Sequence, residues 1–494
     1  MKNFIKTMFL ILLICGIVFL SACGESTTDG ENPDSGLSDN PDTEVNQTEN
    51  GSEADDYMFP APDFGGDKFI ILNNEPIWDF TTFIVPEEQT GDILNDAVWG
   101  RNITVGERFN IELEELAADI HDIPRRVRNA VQSQSQEFDA VFCSGSIGGA
   151  TIGSLVVQNY LVDLTGVPEL NLNSPWWNQK ALEDAKIGSG SAIYFASNDI
   201  SIHALQCPWV IYFNIEMLND LGLDAPYQLV RDGKWTLDQM ETYMKAAVSL
   251  NADESFSPFR DTGTSIYGLS TAIPAIGELL RGSDVRFVSS NSENMPVFTA
   301  DEPRFIQAAQ KLADILSADG MHTNGGNTHY EIVFMNGRSL FCYAELKAGT
   351  VYRESETAFG IVPTPKLDEN QGNYVHNLTQ EAPVFIIPES TPNTEKTALV
   401  IDALAYYSTK DVTPVFFGVT MSQKELRDEE SVEMLQIIRD TAIFDIGRIY
   451  NWSNQLNMDV YNDIVRGGGR LVSIIEGHAE KINAAIEDTI AEFQ

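Results

Sequence analysis

The sequence predicts an α/β protein of two lobes, each a mainly parallel sheet flanked by helices. Two observations carry this. From residue 67 onward, apolar runs of strand length alternate with longer runs of helical periodicity, the pattern of parallel sheets covered by helices. The roughly 430 residues beyond the N-terminal tract exceed what one hydrophobic core organises and suit two.

The elements follow in order. DKFIILN is an apolar run of strand length. Asp92 to Phe109 reads as a helix that opens on an acid and turns Ile93, Ala97 and Trp99 or Gly100 inward. NIELEEL alternates like a strand, and Asp122 to Gln134 is a helix with Pro124 in its first turn. FDAVFC is another strand, ending in the small-residue loop SGSIGGAT. In a sheet of this order ligands gather at the carboxyl ends of the strands.

PWVIYF opens the second half as a strand. KWTLDQMETYMKAAVSL is a helix with Thr236 as N-cap and Gln239 as its capping-box partner. EPRFIQAAQKLADILSADG is a helix with acid and proline at its start and glycine at its end. RSLFCYAEL is a strand ending in Tyr343 and Glu345, and FGIVPTPK and PVFIIP are two more. EKTALVIDALAYYS, Ser431 to Thr441 and Leu471 to Phe493 are helices. No tandem repeat of roughly 20–50 residues is present.

The N-terminus reads differently. Lys2 and Lys6 precede an apolar run from Met8 to Leu20, too short to span a bilayer. Leu20-Ser21-Ala22-Cys23 resembles the lipobox of bacterial lipoproteins. That resemblance implies cleavage before Cys23, which becomes a lipidated N-terminus, and two acyl chains anchor stably where one is marginal. Gly24 to Asp56 has no Lys, Arg or aromatic residue and carries eleven acids. Such a tract cannot offset its ordering entropy by burial and reads as a disordered tether of about 35 Å reach.

The net charge of −42 excludes nucleic acid as a partner and adsorption to anionic lipid. It suits solubility outside the cell. Beyond Cys15 and Cys23, three cysteines remain, Cys143, Cys207 and Cys342, with no CxxC spacing and each in an apolar run, so they read as buried, inert thiols. The six histidines form no HExxH pattern, and His322 and His329, in HTNGGNTH, read as a polar surface loop rather than a metal site. No cofactor motif is present.

Several stretches together resemble the extracellular solute-binding proteins of ABC importers, the carbohydrate-type group that includes maltose-binding proteins. They are FDAVFCSGS, LVDLTGVPEL, WVIYFNIEMLNDLGLDAPYQLVRDGKWTLDQM, FMNGRSLFCYAEL, and FGIVPTPK followed by APVFIIPEST. The resemblance covers about residues 67 to 493. It implies two α/β lobes joined by crossing strands, with the ligand in the cleft between them and buried by hinge closure. On that reading 1–22 is the signal peptide and 23–65 the lipidated cysteine and tether. Lobe 1 is 66–200 plus 384–425, lobe 2 is 201–383 plus 426–494, and the crossings lie near Ser197–Leu205, Thr379–Pro383 and 420–428. The partners implied are a small solute, a permease and the membrane through the lipid anchor. The expected place is the outer face of the cell membrane, and the expected state a monomer.

A sugar offers hydroxyls at its rim and C–H groups on its faces, so its binders need carboxylates, amides and flat rings. Trp78, after the first strand, and Trp452, in IYNWSNQL, are the best-placed rings. Among polar residues the candidates are Ser144 and Gly145 after FDAVFC, Asn198 and Asp199 near the first crossing, and Tyr343 and Glu345 at a strand end. Packing and turn-capping are the competing roles for all of them. Trp99 and Trp209 read as buried, Trp235 as a staple at a helix start, and Trp176 and Trp177 as core or rim. An enzyme is the chief rival class, a glycan-acting lipoprotein with facing carboxylates, but no catalytic signature appears. A surface sensor or adhesion receptor on the same fold is a third reading, and a peptide or polyol remains an alternative ligand.

Overall fold

The computed structural model describes residues 60–145, 152–257, 262–326, 329–352, 355–379, 381–421 and 429–492. The expected signal peptide, Cys23, the whole acidic tract and residues 422–428 of the expected third crossing lie outside them.

Strand β1 (Asp67–Asn74) runs parallel to β2 (Ile111–Ala118) on one side and β3 (Ala140–Ser144) on the other. Helices over Ile93–Phe109 and Ile123–Ser133 make the connections. The first of these starts where the acid predicts, since the Asp92 carboxylate accepts from the amides of Leu94 and Asn95. Its inward face is one residue off the expectation. Leu94, Val98, Arg101, Val105 and Phe109 are buried, whereas Ile93 is 67% exposed and Trp99 only half-buried. The physical reason is Arg101, a charged residue at the centre of the buried face. Its guanidinium is satisfied by the carbonyls of Ile84 and Ile200, each at 2.8 Å, and by Ser408 Oγ at 2.9 Å.

The second sheet begins with β4 (Trp209–Asn214) and takes in β5 (Tyr267–Thr271). A hairpin of β6 (Val288–Ser290) and β7 (Pro296–Phe298) stands apart from it. It continues with β8 (His322–Thr323), β9 (Ser339–Glu345) and β10 (Phe359–Val362), in the order β10-β4-β9-β5-β8. Strand β4 is antiparallel to both neighbours, while β5 is parallel to β8 and β9. The second sheet is thus evenly divided where a mainly parallel one is expected. β11 (His376–Asn377) then precedes β12 (Pro383–Ile386), which returns to the first sheet antiparallel beside β3. Late in the chain β13 (Ala442–Ile443) pairs with β11.

The second sheet carries one large core, with Trp235, Met240, Phe287, Leu312 and Phe341 within it. Trp235 is fully buried and donates Nε1–H to the Pro363 carbonyl at 2.8 Å, and Thr236 caps the helix Leu237–Ala247 by accepting from Gln239 N. A second core joins Leu94 and Val98 of the first helix to Val210, Tyr212, Phe334, Phe416 and Leu435, so that helix packs against side chains of the second sheet. Trp176 and Trp177 belong to the interior. Both indoles donate to Asp402 Oδ1 at 2.9 Å.

Cys143, Cys207 and Cys342 are buried and unpaired with one another. Burial pushes the Cys143 and Cys342 thiols up to about 12 and raises Cys207 as well. His322 is not on a surface loop. It is a buried strand residue, and desolvation lowers its pKa to about 4. No helix among the described residues is long and apolar enough to cross a membrane.

Candidate ligand-binding cleft

Segments leading into β4, out of β9 and away from β11 separate two cavities. Pro208, Leu346 and Leu378 line a cavity of about 300 Å³ on one side. Their immediate neighbours Trp209, Glu345 and Thr379 line a cavity of about 480 Å³ on the other. Extended chain sends successive side chains to opposite faces, so three two-residue steps make one partition.

The larger cavity has the chemistry of a polar-ligand site. Trp209 and Glu345 stand opposite each other in the β4–β9 register. The Trp209 ring rests on Tyr343, centroids 5.4 Å apart. Pro274, Ala275 and Glu278, just beyond β5, form one wall. The adjoining wall is the turn at Asn451 and the helix Asn454–Ile464, which presents Asn454, Asn457, Met458 and Tyr461 on one face. Glu381 closes the side where the chain heads for β12.

Glu278 is a buried hub. It accepts from Arg448 and from Asn377 Nδ2 (2.8 Å), with Arg281 at 3.7 Å. Arg281, itself fully buried, makes its close pair with Asp445 at 2.7 Å. Burial pushes the Glu345 carboxyl up to about 7. The Lys347 ammonium opposes this shift and the Glu381 charge adds to it. Asn457 is 6% exposed, and its Oδ1 accepts no hydrogen bond among the described residues.

The sequence-selected residues separate. Glu345 lines the larger cavity. Trp78 does not line it: its carbonyl accepts from Lys347 Nζ at 2.8 Å, and its ring is 53% exposed. Asn198 and Asp199 line the smaller cavity, where Asp199 is paired with Arg439 at 2.8 Å and accepts from Thr413 Oγ1 at 2.9 Å. Ser144 and Gly145 are buried at the end of β3, with Ser144 opposite Pro383. Tyr343 is 1% exposed within β9, two residues before its end, and its hydroxyl meets Thr364 Oγ1 at 3.3 Å. Trp452 is packed rather than open to the cavity. It stacks on Tyr450 at 4.7 Å and donates to Thr489 Oγ1 at 3.1 Å.

Trp209, Glu278, Glu381, Asn451, Asn454, Asn457 and Tyr461 are the lining residues that sequence reasoning passed over. One signal for them existed. In NWSNQLNMDVY, Asn454, Asn457 and Tyr461 recur at helical spacing beside buried apolar positions, a polar face where a solvated helix more often carries charge.

No protein-family model matches this chain, and no curated protein matches its sequence. Solved structures do share its fold. A sugar transporter of Rhizobium etli in an open conformation superposes with a TM-score of 0.57 at 15% identity, covering 84% of this chain and 99% of that one. The cyclic α-maltosyl-1,6-maltose binding protein of Arthrobacter globiformis gives 0.56 at 12% identity, covering 86% and 100%. UgpB of Mycobacterium tuberculosis in complex with glycerophosphocholine gives 0.53 at 11%, covering 86% and 99%. The fold is therefore the two-lobed periplasmic-binding-protein fold.

Proposed function

We propose that this protein is a membrane-anchored extracellular solute-binding protein that captures a sugar or oligosaccharide by hinge closure and delivers it to an ABC transporter permease. The observation that carries the reading is the 480 Å³ cavity beside Trp209, Glu345 and Thr379, where carboxylates, amides and aromatic rings converge. Solved proteins of this fold include a cyclo/maltodextrin-binding protein complexed with maltotetraose and the GacH receptor of Streptomyces glaucescens in complex with acarbose.

The sheet memberships of the strands support a lobe 1 of 66–200 plus 384–425 and a lobe 2 of 201–383 plus 426–494. Closure would bring lobe 1 over the larger cavity and complete the burial of a polar ligand. Capture without chemistry is the role assigned, so no catalytic residue is proposed.

A thermal-shift screen against mono- and oligosaccharides, peptides and polyols tests the function. A ligand present at 100 times its Kd stabilises by about 2.7 kcal/mol. Saturable stabilisation by a saccharide, with no product released, is the expected result, and no response to any sugar at millimolar levels refutes it. The anchor is tested separately. Cys23→Ala is expected to send the protein to the medium or leave an unprocessed precursor, with ligand affinity unchanged, and retention of mature protein at the membrane refutes the lipid attachment.

A further inference from the structure

We propose that the groove between the helix Ile93–Phe109 and β2 is a docking site for an extended, lysine- or arginine-bearing segment of a partner protein, which adds to β2 as a further strand. The groove encloses about 1100 Å³ and shares no lining residue with the candidate ligand cavity. The proposal is thus independent of which solute that cavity takes.

Strand β2 is the edge of the first sheet, in the order β12-β3-β1-β2. Among the described residues no strand pairs with its outer side. The one backbone bond it makes beyond the β1 ladder is at its last residue, where Glu75 N–H donates to the Ala118 carbonyl. Amides and carbonyls that point away from β1 are therefore open to another strand. Side chains from both faces of β2 border the groove, Glu112 and Glu114 from one and Leu113 and Glu115 from the other, so the groove runs along the strand's edge. The helix contributes a single stripe, Asn95, Trp99, Asn102, Ile103 and Gly106. Ile103 is 47% exposed there and Trp99 half-buried, which gives the groove an apolar strip.

Six carboxylates line the groove, and no lysine, arginine or histidine does. Two of them are engaged: Glu115 accepts from the amides of Ile84 and Val85, each at 2.7 Å, and Glu114 is paired with Lys68. Glu112 stands opposite Lys68 in the register, but that ammonium goes to Glu114. Glu87, Glu88 and Glu107 are exposed and make no hydrogen bond or ion pair among the described residues.

Charge complementarity selects the occupant. A second copy pairing edge to edge would set Glu112 and Glu114 against the same residues of its partner. The chain's own N-terminal tract enters close by, since Phe64 N–H donates to the Phe109 carbonyl and Gly66 N–H to the Asn110 carbonyl. Yet Gly24 to Asp56 carries eleven acids and no Lys or Arg. Both bring like charge. A basic strand from another protein satisfies all three features together: its backbone bonds to β2, and its alternate side chains meet the apolar strip and the carboxylates.

Titration calorimetry of the intact protein with a blocked peptide of alternating lysine and valine, matching the eight residues of β2, tests this. Saturable binding is expected, with affinity falling as salt rises. The same peptide with every backbone amide N-methylated keeps the charge and loses the strand bonds, so it should bind at least about 10-fold more weakly. A peptide of alternating glutamate and valine should be weaker by at least about the same factor. Ile103→Lys, and Glu107→Lys combined with Glu112→Lys, are exposed substitutions that should each weaken binding of the lysine peptide at least about 10-fold. A melting curve on each variant checks that it folds. No saturable binding, equal binding of the methylated or acidic peptide, or binding untouched by both variants overturns the proposal. Saturable binding of a peptide of residues 24–56 would assign the groove to the chain's own tract, and self-association that Ile103→Lys abolishes would assign it to a second copy. Either result overturns the partner segment.

Discussion

Glu345 and Lys347 form an ion pair at 3.2 Å at the end of β9, and the same ammonium donates to the Trp78 carbonyl at 2.8 Å. A carboxylate in the candidate cleft is thereby tied to the loop that follows β1 of the first sheet. The pair does not bring Glu345 back to the ordinary carboxylate range, because burial outweighs it.

A pH dependence of stability follows from that balance. The folded-state pKa of Glu345 is about 7, above the ordinary value of 4.5. The folded state therefore binds this proton more tightly than the unfolded state, and stability falls as pH rises through the window from about 4.5 to 7. The full effect of this one group is on the order of 3 kcal/mol. Urea unfolding of the wild type and of Glu345→Gln across that window isolates it. The difference between the two curves should grow with pH in favour of the variant, and a pH-independent difference sinks the assignment. Lys347→Met removes the opposing charge, so it should move the window to higher pH.

Asp402 holds the interior of the first lobe together in a similar way. Its carboxylate accepts from the indoles of Trp176 and Trp177 and from the amide and side chain of Asn171. Asp402→Ala leaves two buried indole N–H groups without an acceptor, which costs roughly 3–5 kcal/mol. Asp402→Asn retains one acceptor oxygen and should cost less. Urea unfolding followed by tryptophan fluorescence reads both, and equal losses for the two variants would argue that the hydrogen bonds are not the source.

Much of the architecture was legible because local chemistry marked it. Asp92, Thr236 and the Pro124 turn each stand at the helix start they signal. The face of the first helix was not legible, since a buried arginine reads as a surface residue until Ile84, Ile200 and Ser408 are known to surround it. The cleft suffered from the same limit. Glu345 stood out at a strand end, but whether Trp209 faces cavity or core depends on a one-residue register that composition does not encode. His322 misled in the opposite direction, a histidine in a glycine-rich stretch that the fold draws into a strand beside β5.

The three internal thiols give a test of packing. Cys143, Cys207 and Cys342 are all buried, and desolvation raises each pKa, so little thiolate exists at neutral pH. Reaction with an aromatic disulfide reagent should be negligible in the native protein and reach three thiols on unfolding of the lipidated form. Rapid labelling of the native state would mean that the β3, β4 or β9 region opens more readily than its burial implies.

Trp209 and Tyr343 separate contact from support. Trp209 lines the larger cavity, and Tyr343 lies beneath it, 5.4 Å away between centroids and 1% exposed. Trp209→Ala removes a ring that would cover a sugar face, so the affinity for any saccharide that binds should fall by at least about 10-fold, or 1.4 kcal/mol. Tyr343→Phe keeps the supporting ring and loses only the hydroxyl contact with Thr364, at a cost of about 1 kcal/mol in stability. Its affinity should stay within about 2-fold of the wild type, a difference of roughly 0.4 kcal/mol. Calorimetric titration of both variants decides the matter. A large affinity loss in Tyr343→Phe with Trp209→Ala unaffected would place the ligand on the other side of the partition, in the cavity beside Asn198 and Asp199.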